Sequence, residues 1–203
     1  MAGLREQQKQ QRREAIAQAG MKLFVSKGFN KTRMEDIAAA VNVSGQTVFN
    51  YFPSKQMILF EFLRRADSSA LQQVNDKLDP GGDPVDVLCR LVEIITELQL
   101  QQMPAALWRE ILPMILFNPK DELPEIYARG NDLLISEIRS FLQKMQQAGT
   151  ISKQTDLDFA AFMINDYGHI QLVRLVVTDE PDWEAFRDNV RSSIRLFVKG
   201  MQE

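Results

Sequence analysis

Thr32-Arg33-Met34-Glu35-Asp36-Ile37-Ala38-Ala39-Ala40-Val41-Asn42-Val43-Ser44-Gly45-Gln46-Thr47-Val48-Phe49-Asn50-Tyr51-Phe52-Pro53-Ser54-Lys55 reads as two short helices joined by a tight turn. Thr32, with Glu35 three residues on, predicts a capping box that starts the first helix. Met34, Ile37, Ala38 and Val41 follow at helical spacing. Asn42 tolerates positive φ and ends that helix in a turn. Ser44 caps the second helix, predicted through about Phe52, and Pro53-Ser54 breaks it and opens a third. Two helices this short must share one apolar face, here Ile37, Ala38, Val43, Val48 and Phe52. The second then turns Gln46, Thr47, Phe49 and Asn50 outward. These side chains have the length to reach base edges in a major groove, and the dimensions are those of a helix-turn-helix at about residues 33–52.

Outward from this stretch, nearly every segment predicts helix. Upstream, Ile16, Ala19, Leu23 and Phe24 recur at helical spacing from Arg12, and Gly28 supplies a left-handed stop. The Gln-rich start (Gln7, Gln8, Gln10, Gln11) is predicted to fray. Downstream, helices are predicted at 55–78, 84–102, 104–117, 120–148, 155–178 and 182–201, with Asp79-Pro80-Gly81-Gly82-Asp83-Pro84 as the clearest break. The fold class is therefore all-α. A helix-turn-helix domain is predicted over 10–70 and a larger helical domain over 71–203.

Charge separates the same two parts. Of 24 Lys/Arg and 27 Asp/Glu, residues 1–55 hold nine and four, a net of +5, which leaves −8 on the remainder. A basic head on an acidic body suits a polyanion partner, although a cluster of solvated charges would look alike. One cysteine (Cys89) and one histidine (His169) in 203 residues exclude an internal disulfide, the usual zinc sites and a Cys/His relay. Neither metal nor cofactor is expected. No apolar run is long enough for a bilayer and no signal-peptide core precedes the first helix, so a cytoplasmic address without membrane contact is expected.

The run Ile16-x2-Ala19-x3-Leu23-Phe24-x3-Gly28-Phe29-x2-Thr32-x3-Asp36-Ile37-Ala38-x4-Val43-Ser44-x2-Thr47-Val48-Phe49-x-Tyr51-Phe52-x2-Lys55 resembles the signature of the tetracycline-repressor (TetR) family. Asn42, Gln46 and Phe49 depart from the glycine, glycine and tyrosine usual there. The resemblance covers about residues 10–70 and implies a ligand-responsive repressor that binds double-stranded DNA at a palindromic operator. It implies that Gly45–Tyr51 is the recognition helix, with Gln46, Thr47 and Asn50 on or near bases and Tyr51 on phosphate. Ser44 and Phe49 belong to the same DNA-facing set. Thr32 and Arg33 would meet backbone phosphate at a helix start, and Lys55 would do so as a point charge. Each has a plainer reading: Thr32 as a cap, Tyr51 as core packing, Gln46 as a solvated helix residue.

Residues 157–177 are apolar nearly all round, so one side is expected to meet a second subunit. With the last helix (Trp183, Phe186, Val190, Ile194, Phe197, Met201) they resemble the family's homodimer interface, here about 155–178 and 182–201. A small-molecule effector is expected in the body. Met103, Trp108, Met114, Phe117 and Tyr127 could line its pocket, and Glu93, Glu97, Asn165, Asp166 and His169 could supply polar groups. Such a stripe is more often core than pocket; acidic groups lining a cavity would favour a cationic effector. Two other classes compete, an enzyme or carrier acting on a hydrophobic small molecule and a helical adaptor. No glycine-rich phosphate loop, nucleophile elbow or paired His/carboxylate motif supports the enzyme.

Overall fold

The computed structural model describes residues 2–202, and among them every regular element is a helix. In chain order these are α1 (Ala2–Lys27), α2 (Met34–Ala40), α3 (Gly45–Tyr51), α4 (Lys55–Lys77), α5 (Pro84–Gln102), α6 (Ala105–Phe117), α7 (Leu123–Ala148), α8 (Leu157–Val176) and α9 (Trp183–Gln202). The helices from α4 onward lie within about three residues of their expected bounds. The one large difference is α1, which begins about ten residues before Arg12. Its first turns are almost wholly Arg, Glu, Gln and Lys, strong helix formers with no Gly or Pro after Gly3, so nothing interrupts the helix.

Two compact units form, residues 1–64 with 106–127, and residues 65–105 with 128–203. This differs from a single boundary near residue 70, because α6 and the first turn of α7 belong to the first unit. Side-chain hydrogen bonds help to tie these segments together. The Glu110 carboxylate on α6 accepts from the Phe29 and Asn30 amides at 2.9 and 2.7 Å. Ser54 donates to Glu122 at 2.7 Å, and Gln56 donates to Asp121.

In the first unit, α1, α2 and α4 close on one another around Gly20. A Cβ there would stand 2.8 Å from Ile58 Cγ2 and 3.4 Å from Ile37 Cδ1, so only glycine lets the helices approach this closely. Ile16, Phe24, Phe29, Ile37, Val48, Phe52, Ile58 and Leu59 are fully buried here. At roughly 1.5–3 kcal/mol each, they supply the main driving force for this small core.

In the second unit α5 packs most extensively on α9 and also on α8. Leu88, Leu91 and Ile94 from α5 belong to the same buried apolar cluster as Phe141, Leu142 and Met145 from α7. The α9 stripe Phe186, Val190, Ile194, Val198 and Met201 is buried at spacings of four and three. Helix α8 divides as its sequence implies. Ala161, Ile164, Leu172 and Leu175 are buried, whereas Phe159, Phe162, Ile170 and Val177 are exposed in the single chain.

Candidate nucleic-acid interface

Helix α3 is held from beneath and at both ends. Val48 and Phe52 are fully buried, fixing its inner face. At its start Ser44 Oγ accepts from the Thr47 amide at 3.1 Å. The preceding turn contains Asn42 at φ 53°, the left-handed conformation that its short polar side chain tolerates. At its end the Tyr51 carbonyl accepts from Arg13 Nη1 at 2.9 Å. The same guanidinium lies 4.2 Å from the Phe52 ring centroid and 3.4 Å from Glu61, a buried carboxylate that Arg64 also pairs. Arg13 thus couples α1 to the carbonyl end of α3, where helix dipoles favour a cation. Sequence reasoning passed over Arg13; its only signal was a charge on the flank of a buried helix.

The outer face carries Ser44, Gln46, Phe49 and Asn50, all exposed, with Gly45, Thr47 and Tyr51 partly so. Gln46 Nε2 donates to Asn50 Oδ1 at 3.2 Å, one helical turn apart. This bond leaves a donor on Asn50 and an acceptor on Gln46, the complement an adenine edge requires. Phe49, 42% exposed, adds a flat apolar group suited to a thymine methyl.

Two expected phosphate contacts are engaged elsewhere. Thr32 is 1% exposed and donates to the Gly28 carbonyl at 2.7 Å, so its hydroxyl closes the α1–α2 turn. The cap also moves by one residue. Arg33 is the N-cap of α2, and Asp36 rather than Glu35 returns to it, accepting from the Arg33 amide at 2.8 Å. The Lys27 ammonium and that amide hold the Asp36 carboxyl below the usual range. Lys55 turns inward. Its ammonium donates to Phe29 O at 2.7 Å and Thr32 O at 3.2 Å, and lies 4.4 Å from the Phe29 ring centroid. Burial pushes its pKa down, opposed by the charges of Glu110 and Asp121. Lys55 is an internal strut of the turn that presents α2. Arg33 remains exposed.

Within the second unit, α5, α7 and α8 line a partly open apolar cavity of about 20 Å³, room for roughly one water. Leu91, Val92, Ile95, Leu134, Ile138 and Ile164 form its walls, and Thr96, Gln99, Asn165, Gly168 and His169 line the rest. Burial pushes the His169 imidazole down to about 4, so it is neutral near pH 7. Asn165 is buried with Oδ1 unpaired while its Nδ2 lies 3.4 Å from His169 Nδ1.

Of the side chains expected around an effector, His169 and Asn165 reach this cavity. Met103 and Trp108 are fully buried core residues, and Met114 and Tyr127 are half-buried away from it. Phe117 is 80% exposed at the end of α6 and Asp166 is exposed on α8. Glu93 pairs with Arg90 at 2.7 Å and Arg187 at 2.6 Å on another face of α5, and these cations hold its carboxyl low despite burial. No carboxylate lines the cavity, which removes the argument for a cationic effector. Sequence reasoning missed Thr96 and Gln99. Their signal was two polar residues at i and i+3 on the otherwise apolar stripe Leu91–Val92–Ile95.

Comparison with known proteins agrees with this geometry. Residues 16–62 match the family model "Bacterial regulatory proteins, tetR family". The chain is 28% identical over 81 residues to the HTH-type transcriptional regulator TcmR of Streptomyces glaucescens, and 31% over 83 residues to HbdR of an Aromatoleum strain. These matches take in 40% and 41% of the chain but only 35% and 36% of the relatives, so just over a third of each curated relative is spanned. Among solved structures, the TetR-family transcriptional repressor FadR of Thermus thermophilus, in complex with lauroyl-CoA, superposes with a TM-score of 0.70. It is 26% identical, over 93% of this chain and 94% of that one. A TetR-family regulator of Syntrophomonas wolfei reaches 0.74 at 18% identity, over 95% and 97%, a likeness of fold.

Proposed function

We propose that the chain, whose residues 16–62 match the model of the tetR family of bacterial regulatory proteins, is a DNA-binding transcriptional regulator of that family, working as a pair of identical subunits that a small apolar effector releases from a palindromic operator. The observation that carries the reading is the exposed, paired Gln46–Asn50 face of α3, anchored by Val48 and Phe52 in the basic quarter of the chain. Gln46, Thr47, Phe49 and Asn50 would read bases. Arg33, Ser44, Gly45 and Tyr51 would meet the sugar-phosphate backbone, and Thr32 and Lys55 would hold the shape of the turn before them.

Pairing is supported by the uncovered, largely apolar side of α8, where Phe159, Phe162, Ile170 and Val177 follow one helical face with Asp166 among them. A second copy of α8 and α9 would cover it and set the distance between two recognition helices. The cavity among α5, α7 and α8 is the effector site in this reading. Its aliphatic walls suit a hydrocarbon chain, and the lauroyl-CoA complex of the Thermus thermophilus relative supports that class. A cavity of about 20 Å³ admits such a molecule only when its helices part. Helix α7 starts within the first unit and ends within the second, so its displacement would reach the DNA-binding unit. Full release requires the effector to favour the non-binding state by about 10⁴-fold, roughly 5.5 kcal/mol.

The experiment is fluorescence anisotropy with genomic fragments and random duplexes across a salt series. Preference for a palindromic fragment, weakening steeply with salt, is the expected result. The variant Asn50→Ala is expected to lose about 1–3 kcal/mol of discrimination at one base position. Equal affinity for genomic and random DNA at every salt concentration would overturn the reading.

A further inference from the structure

Helix α1 runs more than a turn beyond the core it serves, and its surplus length is basic on one side. Arg5, Lys9 and Arg12 are separated by four and three residues, so they share a face within about 60° of arc. All three are exposed, and none forms an ion pair among the described residues. The acidic residues of the same stretch point elsewhere, Glu6 about 100° and Glu14 about 180° round the axis from Arg5. The basic face continues into the candidate DNA surface. Arg5, Gln8, Lys9, Gln11 and Arg12 line an open groove with Tyr51, the last residue of α3. The groove's register is fixed, because Arg13, the next residue along α1, holds the Tyr51 carbonyl at 2.9 Å and lies over Phe52.

Resting on the DNA-binding reading above, we infer that Arg5, Lys9 and Arg12 form a second contact, on the phosphates of the strand that flanks each half-site outside the bases read by α3. Seven residues of helix separate Arg5 from Arg12, about 10 Å of axis, the length over which one strand of B-DNA presents about three phosphates. One cation then meets one phosphate. Gln8 and Gln11 supply neutral donors beside them, and no carboxylate lines the groove to repel the backbone. The contact adds affinity without reading sequence, since phosphates are alike whatever base they carry. It also lengthens the protected DNA by about three base pairs at each end.

The test uses the full chain and a duplex selected for tight binding, with affinity measured against NaCl concentration. In Arg5→Gln/Lys9→Gln/Arg12→Gln, the slope of log affinity against log salt is expected to become shallower by about 0.9 for each phosphate lost, some five in all for two subunits. Base preference stays as in the wild type. Trimming three base pairs from each end of the duplex is expected to weaken the wild type to the same degree and leave the triple variant unchanged. Arg5→Lys/Arg12→Lys should keep the wild-type slope. An unaltered slope in the triple glutamine variant, or a loss that persists equally on trimmed duplexes, overturns the flanking contact while leaving recognition by α3 intact. A wild type with no preference among duplexes overturns both.

Discussion

Acidification tests the cavity through its one ionisable group. His169 is the sole histidine of the chain, so a single imidazole resonance reports its titration without assignment. Burial among α5, α7 and α8 lowers its pKa from 6.5 to about 4, with Asp166 pulling weakly the other way. The depressed pKa belongs to the folded state, so between pH 6.5 and 4 the unfolded chain binds the extra proton. Stability from the neutral ring is complete above pH 6.5 and is lost as pH falls towards 4. A difference of about 2.5 pKa units at 1.36 kcal/mol per unit sets a ceiling of about 3 kcal/mol, of which about 2 kcal/mol is lost between pH 7 and pH 5. Carboxylates add their own pH dependence, so the quantity to follow is the difference between wild type and His169→Gln in urea denaturation at each pH. That difference is expected to change by about 2 kcal/mol over those two units. An imidazole that titrates near 6.5 in the folded protein, or a difference flat with pH, would refute the enclosure of His169.

Three further outcomes follow from the geometry. Glu110→Ala removes two charge-assisted bonds to the Phe29 and Asn30 amides and is expected to cost about 2–4 kcal/mol, with faster hydrogen exchange at both amides; Glu110→Gln should cost about half as much, and a loss below about 0.5 kcal/mol in the alanine variant would disprove the clamp. Gly20→Ala drives a methyl to 2.8 Å from Ile58 and is expected to destabilise by about 1–3 kcal/mol, partly recovered by Ile58→Val, as thermal denaturation would show. Ile170→Glu places a charge on the exposed α8 face and is expected to convert the proposed dimer to monomers in sedimentation velocity without changing the helical circular dichroism; an unchanged assembly would remove α8 from the interface.

The residues make plain why some features were legible in the sequence. Helix ends marked by Gly28, Asn42 and Ser44 appear where the letters predict them, because each stop or cap is a local property of one or two residues. The two-sided character of α8 was legible for a similar reason, since a helix's faces follow from spacing alone. The capping box missed by one residue, a local error, but most of what failed depended on partners distant in sequence. Lys55 resembles a free phosphate ligand until the carbonyls of Phe29 and Thr32 are brought to it. Phe117 and Trp108 are both aromatic residues on α6, yet one is 80% exposed and the other fully buried, according to which side of α6 meets the core. Cavity residues were the least legible. An empty space is set by what three helices fail to fill, and Thr96 and Gln99 carry no local sign of that.

The return of residues 106–127 to the first unit bears on how such a protein can be cut and recombined. A fragment ending near residue 70 would keep α1 to α3 and most of α4 but lose the carboxylates of Glu110, Asp121 and Glu122, leaving the bend at Phe29–Asn30 and the start of α4 without their acceptors. The first unit is thus no detachable cassette. A chimera that grafts it onto a foreign domain must import this later piece of chain as well, or inherit a unit whose first bend has come unfastened.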